Sequence, residues 1–313
     1  MSEVEQTVVP VPSDEIDLGE LLGVLWAGKW LIGGVTFAAS VIAVIFALMM
    51  PNVYRAEALL APNDSEGAGG LSALAAQYGG LASLAGINLG GGSADKTTLG
   101  LEVLRSRKFI SEFIERHDIL VPVMAAKDWD AASGELEIDS TIFDSNARKW
   151  VREAKPPRKE APSSQEAYKV FSDLMSVSND KKTGFVTISI EFFSPTIAKQ
   201  WVDWLVEDIN STIMQRDVAE AEQAIAYLNE QIESTSLSDL QNVFFKLIED
   251  QTKTVMLAKV SSEYMFRTID PAIAPELKSK PKRSLIAIVG MLLGGMFGVV
   301  IVAFRHGLRA ARN

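Results

Sequence analysis

The sequence predicts an α+β membrane protein in which two transmembrane helices flank one large domain. Two apolar runs, 31–50 and 285–304, are each twenty residues long and contain no charged side chain. At about 1.5 Å per residue, either run can cross the roughly 30 Å hydrocarbon core of a bilayer as a helix. Alternating and helical apolar patterns both occur in residues 51–284, so strands and helices are expected there.

Membrane spanning explains the two runs better than burial in a soluble core, because core helices usually keep a polar face. Trp26 and Trp30 precede the first run and Arg305 follows the second, as expected at lipid headgroups. The first run begins too late and is too long for a cleaved signal peptide, so the acidic leader is expected to be retained. Cationic residues are balanced between the two sides of the spans and do not fix the orientation.

The composition argues against several classes of protein. A net charge of −10 lacks the basic balance typical of nucleic-acid binding. The chain contains no cysteine and only two histidines, His117 and His306, and the common catalytic and phosphate-loop motifs do not occur. We therefore expect a scaffold rather than an enzyme, without a cofactor or a metal ion.

A short strand and a glycine-rich segment follow the first predicted span. Residues 53–60 (VYRAEALL) alternate in polarity, which predicts a membrane-proximal strand. Residues 62–94 carry glycine pairs between small apolar pieces and are expected to form a flexible loop with one or two short amphipathic helices. They do not match a phosphate-binding loop, because no lysine follows the glycines in the required place. Residues 97–117 predict two short helices that break near Ser106.

Residues 122–163 are expected to form a long excursion from the fold, since prolines, glycines and charges are scattered through them. Asp128 and Asp130 form an Asp-x-Asp pair in this segment, and such a pair can hold a metal ion and a sugar nucleotide in a glycosyltransferase. The pair lies in a predicted loop without a nucleotide-binding context, so exposed loop carboxylates are the favoured interpretation.

The second half of the domain has the clearest elements. Residues 177–192 predict a β-hairpin with a KKTG turn. Ser194 and Pro195 supply an N-cap and a first helical position, and the apolar spacing that follows predicts a helix of roughly 35 to 40 residues. A second helix begins near Ser238 and returns antiparallel to the first. Residues 264–269 (YMFRTI) then alternate like a strand that can pair with the membrane-proximal strand.

Two groups of side chains have both a structural and a binding interpretation. Arg105, Arg107 and Lys108 form a basic cluster, which fits a solvated face better than a glycan or phosphate contact. Trp201 and Trp204 fit packing against the sheet better than a sugar-stacking platform. Neither group is assigned as a site.

Several segments of the chain, taken together and in order, point to a known family. They are EIDLGELLGVLWAGKW at 15–30, EVLRSRKFI at 102–110, SPTIAKQWVDWLVEDIN at 194–210, YMFRTIDPAIAP at 264–275 and the rest of the proline-rich connector. The chain therefore resembles the Wzz-type chain-length determinants, which are polysaccharide co-polymerases. The resemblance extends over nearly the whole chain.

The resemblance implies a periplasmic domain with a mixed α/β membrane-proximal base and a long protruding helical arm, anchored in the bacterial inner membrane with both termini cytoplasmic. It implies a ring of identical subunits that acts with a membrane polymerase to regulate the chain length of O-antigen or an exopolysaccharide. The lipid-linked polysaccharide is a further candidate partner. The expected boundaries are a cytoplasmic segment 1–30, a span 31–50, a periplasmic domain 51–284, a span 285–304 and a tail 305–313. Within the domain they are a base 51–194 and 259–270, an arm 195–258 and a proline-rich segment 271–283.

The proline-rich segment is the first candidate site. Pro271, Pro275 and Pro281 match the proline-rich motif of the family. Prolines at this density impose a stiff, extended connector, so the segment also has a purely structural interpretation as a spacer.

The second candidate site lies in the second span. Gly290, Gly294 and Gly298 follow small-xxx-small spacing, which predicts close helix packing. The alternative is the general enrichment of glycine in membrane helices.

Other functions stay open at this point, among them a two-span periplasmic sensor and a polysaccharide export component. The nine-residue tail leaves no room for a signalling module after the second span. The missing phosphate-binding loop argues against an intact fusion to a tyrosine kinase, whereas a kinase on a separate chain is compatible with the sequence.

Overall fold

The computed structural model describes residues 23, 25–63, 92–234 and 237–310. These divide into two compact units, one within residues 1–50 and 281–313 and the other within residues 51–280. Most of the acidic leader and most of the predicted glycine-rich loop lie outside the described residues.

The helices and strands are numbered in chain order. The helices are α1 (Lys29–Met49), α2 (Gly92–Arg105), α3 (Arg107–Arg116), α4 (Leu120–Ala125), α5 (Ser164–Leu174), α6 (Pro195–Ser234), α7 (Ser238–Val260) and α8 (Arg283–Ala310). The strands are β1 (Tyr54–Pro62), β2 (Ala126–Trp129), β3 (Leu136–Ile138), β4 (Phe143–Asp144), β5 (Lys149–Trp150), β6 (Met175–Asn179), β7 (Val186–Phe192) and β8 (Phe266–Asp270).

In the described part of the smaller unit, α1 and α8 pack against each other. The 21 residues of α1 and residues Arg283–His306 of α8 are long and apolar enough to cross a membrane. Large apolar side chains on both helices face outward, for example Phe37 (72% exposed) and Phe297 (66% exposed). The predicted fold class is confirmed, because these candidate membrane helices flank a mixed α/β domain with a long helical arm.

The larger unit is built on a four-stranded antiparallel sheet in the order β6-β7-β1-β8. One face of the two central strands is apolar and buried: Ala56, Ala58, Leu60, Val186, Ile188, Ile190 and Phe192. Phe113 of α3, Phe171 of α5 and Trp201 of α6 belong to the same core cluster. The main core of the described residues therefore lies between one face of this sheet and helices that include α3, α5 and α6.

The β6–β7 hairpin confirms the hairpin predicted for residues 177–192. Gly184 has a φ of +74°, which a glycine adopts without the steric cost that a side chain brings. The Asp180 carboxylate accepts a hydrogen bond from the backbone N–H of Lys182 (2.8 Å), and the Asp180 carbonyl accepts one from Gly184 (2.7 Å). The turn residues thus satisfy their own polar groups.

The predicted pairing of residues 264–269 with the membrane-proximal strand is also confirmed. β8 pairs antiparallel with β1, but the contact is limited to Leu59–Pro62 of β1 and has an irregular register between Leu59 and Leu60. Two short helices that follow β1 in the chain, α2 and α3, are separated at Ser106 as predicted. The Ser106 hydroxyl caps α3 by accepting a hydrogen bond from the N–H of Phe109 (3.2 Å).

The arm starts at the end of β7, as the Ser194-Pro195 pair predicts. α6 has 40 residues, and its first half is buried through Trp201, Leu205 and Ile209. α7 returns along α6. Past Ala221 the described side chains of the arm are only partly covered, apart from Ala258 in the last turn of α7, which is buried.

Asn210 fixes α6 to strand β8. Its side chain is 3% exposed, and its carbonyl oxygen accepts hydrogen bonds from the N–H groups of Met265 (2.7 Å) and Phe266 (2.8 Å). Its amide donates to the carbonyls of Phe266 (3.1 Å) and Val206 (3.0 Å). Leaving one such buried group unpaired costs about 1–3 kcal/mol, so this amide holds the arm at a defined position on the sheet.

The predicted excursion folds into α4 and two small hairpins, β2–β3 and β4–β5. Past β5 the backbone is held by Arg152, whose guanidinium makes two hydrogen bonds to Glu166 at 3.1 and 2.9 Å. The same guanidinium donates to the carbonyls of Lys159 (2.9 Å) and Glu160 (2.7 Å). Glu166 also forms a capping box with Ser163 at the start of α5.

We expect the Arg152–Glu166 pair to stabilise the domain in a pH-dependent way. Hydrogen bonds from Arg152, hydrogen bonds from Ser163 and the charge of Arg152 lower the pKa of Glu166 from 4.5 to about 2. The pKa is lower in the folded state than in the unfolded state. The stabilisation is therefore complete above the unfolded-state pKa and is lost as the pH falls towards about 2. The unfolding midpoint of Glu166→Gln should lie below that of the natural chain near neutral pH, and the difference should shrink as the pH falls through this window.

Glu137→Gln provides the matched control. Glu137 forms an ion pair with Lys127 at 2.7 Å, but both side chains are more than half exposed, so the pair contributes little to stability. Its removal should change the midpoint only slightly. A pH-independent difference for Glu166→Gln would contradict the proposed linkage.

Candidate functional site

The two ends of the larger unit are joined next to the proline-rich segment. The N–H of Val53 donates to the carbonyl of Lys280 (3.0 Å), and the N–H of Ser279 donates to the carbonyl of Val53 (2.8 Å). The Lys280 ammonium pairs with Glu191 of β7 at 2.5 Å, and the Lys278 ammonium donates to the side chain of Asn52 (3.2 Å). The end of the proline-rich segment is thus bonded to the residues that precede β1.

Residues between β8 and this junction form no helix or strand. Pro271 and Pro275 lie in this irregular stretch, and the Ala272 side chain between them is buried at 3% exposure. Ile273 and Leu277 are 71% and 85% exposed, respectively. The segment is therefore held at both ends and presents apolar side chains outward, as a contact surface does.

Pro281 lies two residues before Arg283, the first residue of α8, and is buried. Its carbonyl accepts a hydrogen bond from the N–H of Arg283 (2.9 Å). A proline close to a helix start is compatible with the free N–H groups of the first turn. The described structure thus assigns Pro281 to the start of the second candidate membrane helix.

The three predicted glycines of α8 face α1 of the same chain. A Cβ atom on Gly294 would lie 2.5 Å from Cβ of Ala39 and 3.1 Å from Cα of Thr36. A Cβ on Gly298 would lie 3.0 Å from Cα of Ile32, and one on Gly290 would overlap the Ala43 side chain. The two helices approach so closely along this face that only glycine fits without displacing a neighbour.

Hydroxyl groups on α1 are satisfied within that helix. Thr36 Oγ1 donates to the carbonyl of Ile32 and Ser40 Oγ donates to the carbonyl of Thr36, both at 2.8 Å. Satisfied hydroxyls and small side chains allow a close helix contact in an apolar environment, where an unpaired polar group is costly.

The Asp-x-Asp pair caps a turn in the β2–β3 hairpin. The Asp130 carboxylate accepts hydrogen bonds from the N–H groups of Ala132 (2.9 Å) and Ser133 (3.3 Å), which lower its pKa. Asp128 accepts one from the N–H of Trp129 (2.8 Å). Within the ranges that the structure describes, no group of three or more His, Cys, Asp or Glu side chains could hold a metal ion.

In the basic cluster, Arg105 and Arg107 contact other residues of the same domain. Arg105 donates to the carbonyl of Val177 (2.8 Å), and the Arg107 guanidinium lies 5.8 Å from the ring centroid of Tyr168. Lys108 is 3.9 Å from Glu112 and its side chain is 85% exposed. The first two cations thus help to position α2 and α3, and the third is solvated.

Trp201 and Trp204 have different packing partners. Trp201 is 1% exposed and packs against Phe192, with ring centroids 4.4 Å apart, which confirms the core interpretation. Trp204 instead stacks on the imidazole of His117 at 4.2 Å, with an interplanar angle of 9°.

Sequence reasoning missed the polar cluster around His117. Its Nε2 lies 3.1 Å from Asp208, whose side chain is 9% exposed and also pairs with Arg116 at 2.9 Å. A carboxylate only accepts hydrogen bonds, so Nε2 is the donor in this contact. Because Asp208 is ninety-one positions further along the chain, no local pattern could predict the contact.

Two family models match the chain. A model described as chain length determinant protein, Wzz, matches residues 14–117. A model described as a G-rich domain on putative tyrosine kinase matches residues 237–307. No curated protein matches the chain.

Two solved structures are similar to the chain. A full-length bacterial polysaccharide co-polymerase has 15% identity and a TM-score of 0.39, with coverage of 94% of this chain and 99% of that chain. A fragment of WzzB, a polysaccharide co-polymerase from Salmonella Typhimurium, has 12% identity and a TM-score of 0.26, with coverage of 73% of this chain and 100% of that chain.

Two neighbouring glycines test the importance of the α1–α8 contact. Gly294→Ala places a methyl group against Ala39 and the backbone of Thr36, and overpacking of this kind typically costs about 1–3 kcal/mol. We expect a lower unfolding midpoint for the protein in detergent micelles. Gly295→Ala adds the same methyl group where the nearest atom, Thr36 Oγ1, is 3.7 Å away, and should leave the midpoint unchanged. Equal effects of the two substitutions would argue against a specific contact.

Proposed function

We propose that this chain is a Wzz-type chain-length determinant, which regulates the length of an O-antigen or exopolysaccharide assembled at the bacterial inner membrane. The observation that carries this proposal is the chain-length-determinant match over residues 14–117. That match includes α1, β1, α2 and α3, so it joins a candidate membrane helix to the core of the extramembrane domain.

We place the chain in the inner membrane with its central domain in the periplasm and both termini in the cytoplasm. Among the described residues, one candidate membrane helix precedes the larger unit in sequence and one follows it, which supports one crossing on each side of the domain. The larger unit is a domain of over two hundred residues, and domains of this length are translocated largely regardless of their charge. This topology brings the domain to the compartment in which lipid-linked chains would be extended.

The chain acts as a homo-oligomer, in a ring of identical subunits. Support comes from α7, on which Leu240, Val243 and Leu247 recur at helical spacing and are each at least 40% exposed. These side chains lie away from the α6 contact and form an apolar stripe that a second copy of the arm can cover.

The polymerase contacts the proline-rich segment, and the lipid-linked polysaccharide is held nearby. Ile273 and Leu277 supply exposed apolar surface on a stiff connector, which loses little conformational entropy on binding. No covalent step is assigned to this chain. It alters the length of the polysaccharide by changing how long the ring of subunits keeps the growing polysaccharide or the polymerase bound.

The length distribution of the surface polysaccharide tests the function. Deletion of the gene should leave polymer present but convert a clustered size distribution into a short-biased ladder on gel electrophoresis. Replacing Pro271, Pro275 and Pro281 by alanine should broaden the distribution in the same direction, because a flexible connector no longer presents a defined surface.

Pro162→Ala, a proline outside this segment, serves as the control and should leave the distribution unchanged. Immunoblotting must show similar amounts of each variant in the membrane. Loss of all polymer on deletion would favour a role in synthesis or export, and an unchanged distribution would favour a sensor. Either result would refute length regulation.

A charge on the apolar stripe of α7 tests the assembly. Leu247→Glu should reduce the mass of the detergent-solubilised complex, measured by light scattering or native mass spectrometry, because a buried unpaired charge is unfavourable at an interface. Lys246→Glu introduces the same side chain at the adjacent exposed position and should preserve the mass. A monomeric natural chain, or equal losses for both variants, would contradict assembly through this face.

A further inference from the structure

Residues 148–159 form a cationic loop in a protein of net negative charge. The loop contains six cationic side chains and one anionic side chain, Glu153, whereas the whole chain has a net charge of −10. Such a local excess of one sign creates a field that attracts an oppositely charged partner.

The backbone of the cationic loop is held in place by Arg152. This guanidinium is neutralised by Glu166 and binds the carbonyls of Lys159 and Glu160. The N–H of Arg158 also donates to the carbonyl of Lys155 (3.0 Å). The remaining cations are thus presented on an ordered scaffold, which lowers the entropic cost of binding.

Most of these cations are available for a partner. Arg148, Lys149, Lys155 and Lys159 are exposed and form no ion pair with any residue that the structure describes. Arg158 is 3.6 Å from Glu166 but its side chain is 71% exposed. Every residue from 155 to 159 is exposed, so this part of the loop fits a broad surface better than a small enclosed ligand.

Apolar and aromatic groups accompany the cations. Val151 is 44% exposed, and Trp150 lies beside Phe143 with ring centroids 5.0 Å apart. Cationic side chains next to tryptophan and aliphatic groups are typical of surfaces that contact lipid headgroups.

The same excursion includes Trp129, whose ring lies 5.7 Å from that of Tyr54. Tyr54 follows Met49, the last residue of α1, by five positions along the chain. The excursion therefore belongs to a domain that is continuous in sequence with a candidate membrane helix, and such tethering raises the effective concentration of the lipid surface.

We propose that the cationic loop binds the anionic phospholipid headgroups of the bilayer in which the chain is anchored. The interaction is electrostatic, acts over about one Debye length and weakens with salt. It is independent of the proposed role in polysaccharide length.

The absence of cysteine permits a single-site test on the full chain. Ala161→Cys, next to the loop, carries a spin label, and the protein is reconstituted in nanodiscs of phosphatidylcholine alone or mixed with phosphatidylglycerol. A nickel-chelating lipid headgroup is the relaxation probe. We expect several-fold stronger relaxation in the anionic discs, with loss of the difference at high salt.

The triple variant K155Q/R158Q/K159Q should abolish the difference between the two types of disc. The triple variant K169Q/K181Q/K182Q removes the same charge from exposed lysines elsewhere in the domain and should preserve it. Unchanged unfolding midpoints show that both variants fold. Equal relaxation in neutral and anionic discs, or equal effects of the two variants, would overturn the proposal. Immobilisation of the label by soluble acidic polysaccharide, without dependence on lipid charge, would assign the loop to a glycan and also overturn it.

Discussion

The organisation of the extramembrane domain depends on strand β1 lying between β7 and β8. This position brings the start of the domain next to its end, where Val53 and Lys280 exchange backbone hydrogen bonds and Lys280 pairs with Glu191. Each of these two ends continues along the chain into a candidate membrane helix. A displacement of the proline-rich segment must therefore disturb the sheet or break these bonds.

Two kinds of contact fix helix α6 on the sheet. Core packing around Trp201 and Phe171 joins α6 to the sheet without fixing a unique register, since apolar contacts are non-directional. The buried amide of Asn210 supplies the directional constraint through the backbone of Met265 and Phe266. Beyond Ala221 the described side chains of the arm are only partly covered, apart from Ala258, which leaves its apolar stripe available for assembly.

Three surfaces of the chain thus have separate proposed partners. The proposed partner is another subunit for the stripe on α7, the polymerase for the proline-rich segment, and lipid headgroups for the cationic loop. The glycine face of α8 differs from these, because α1 of the same chain already covers it. Substitutions on that face affect internal packing before they affect any partner, which is why stability and polysaccharide length have to be measured together.

The sequence by itself determined the two apolar spans, the β6–β7 hairpin, the break at Ser106 and the start of the arm at Pro195, because hydrophobic period, turn residues and helix caps are local signals. It also predicted which strands pair, though not that β1 and β8 meet only over Leu59–Pro62. Tertiary structure alone decided the stacking of Trp204 on His117, the burial of Asp208 and the clamp of Arg152 on Glu166. These contacts join residues that are distant in sequence or lie in irregular segments. In such cases no periodic pattern indicates which side chains will be in contact.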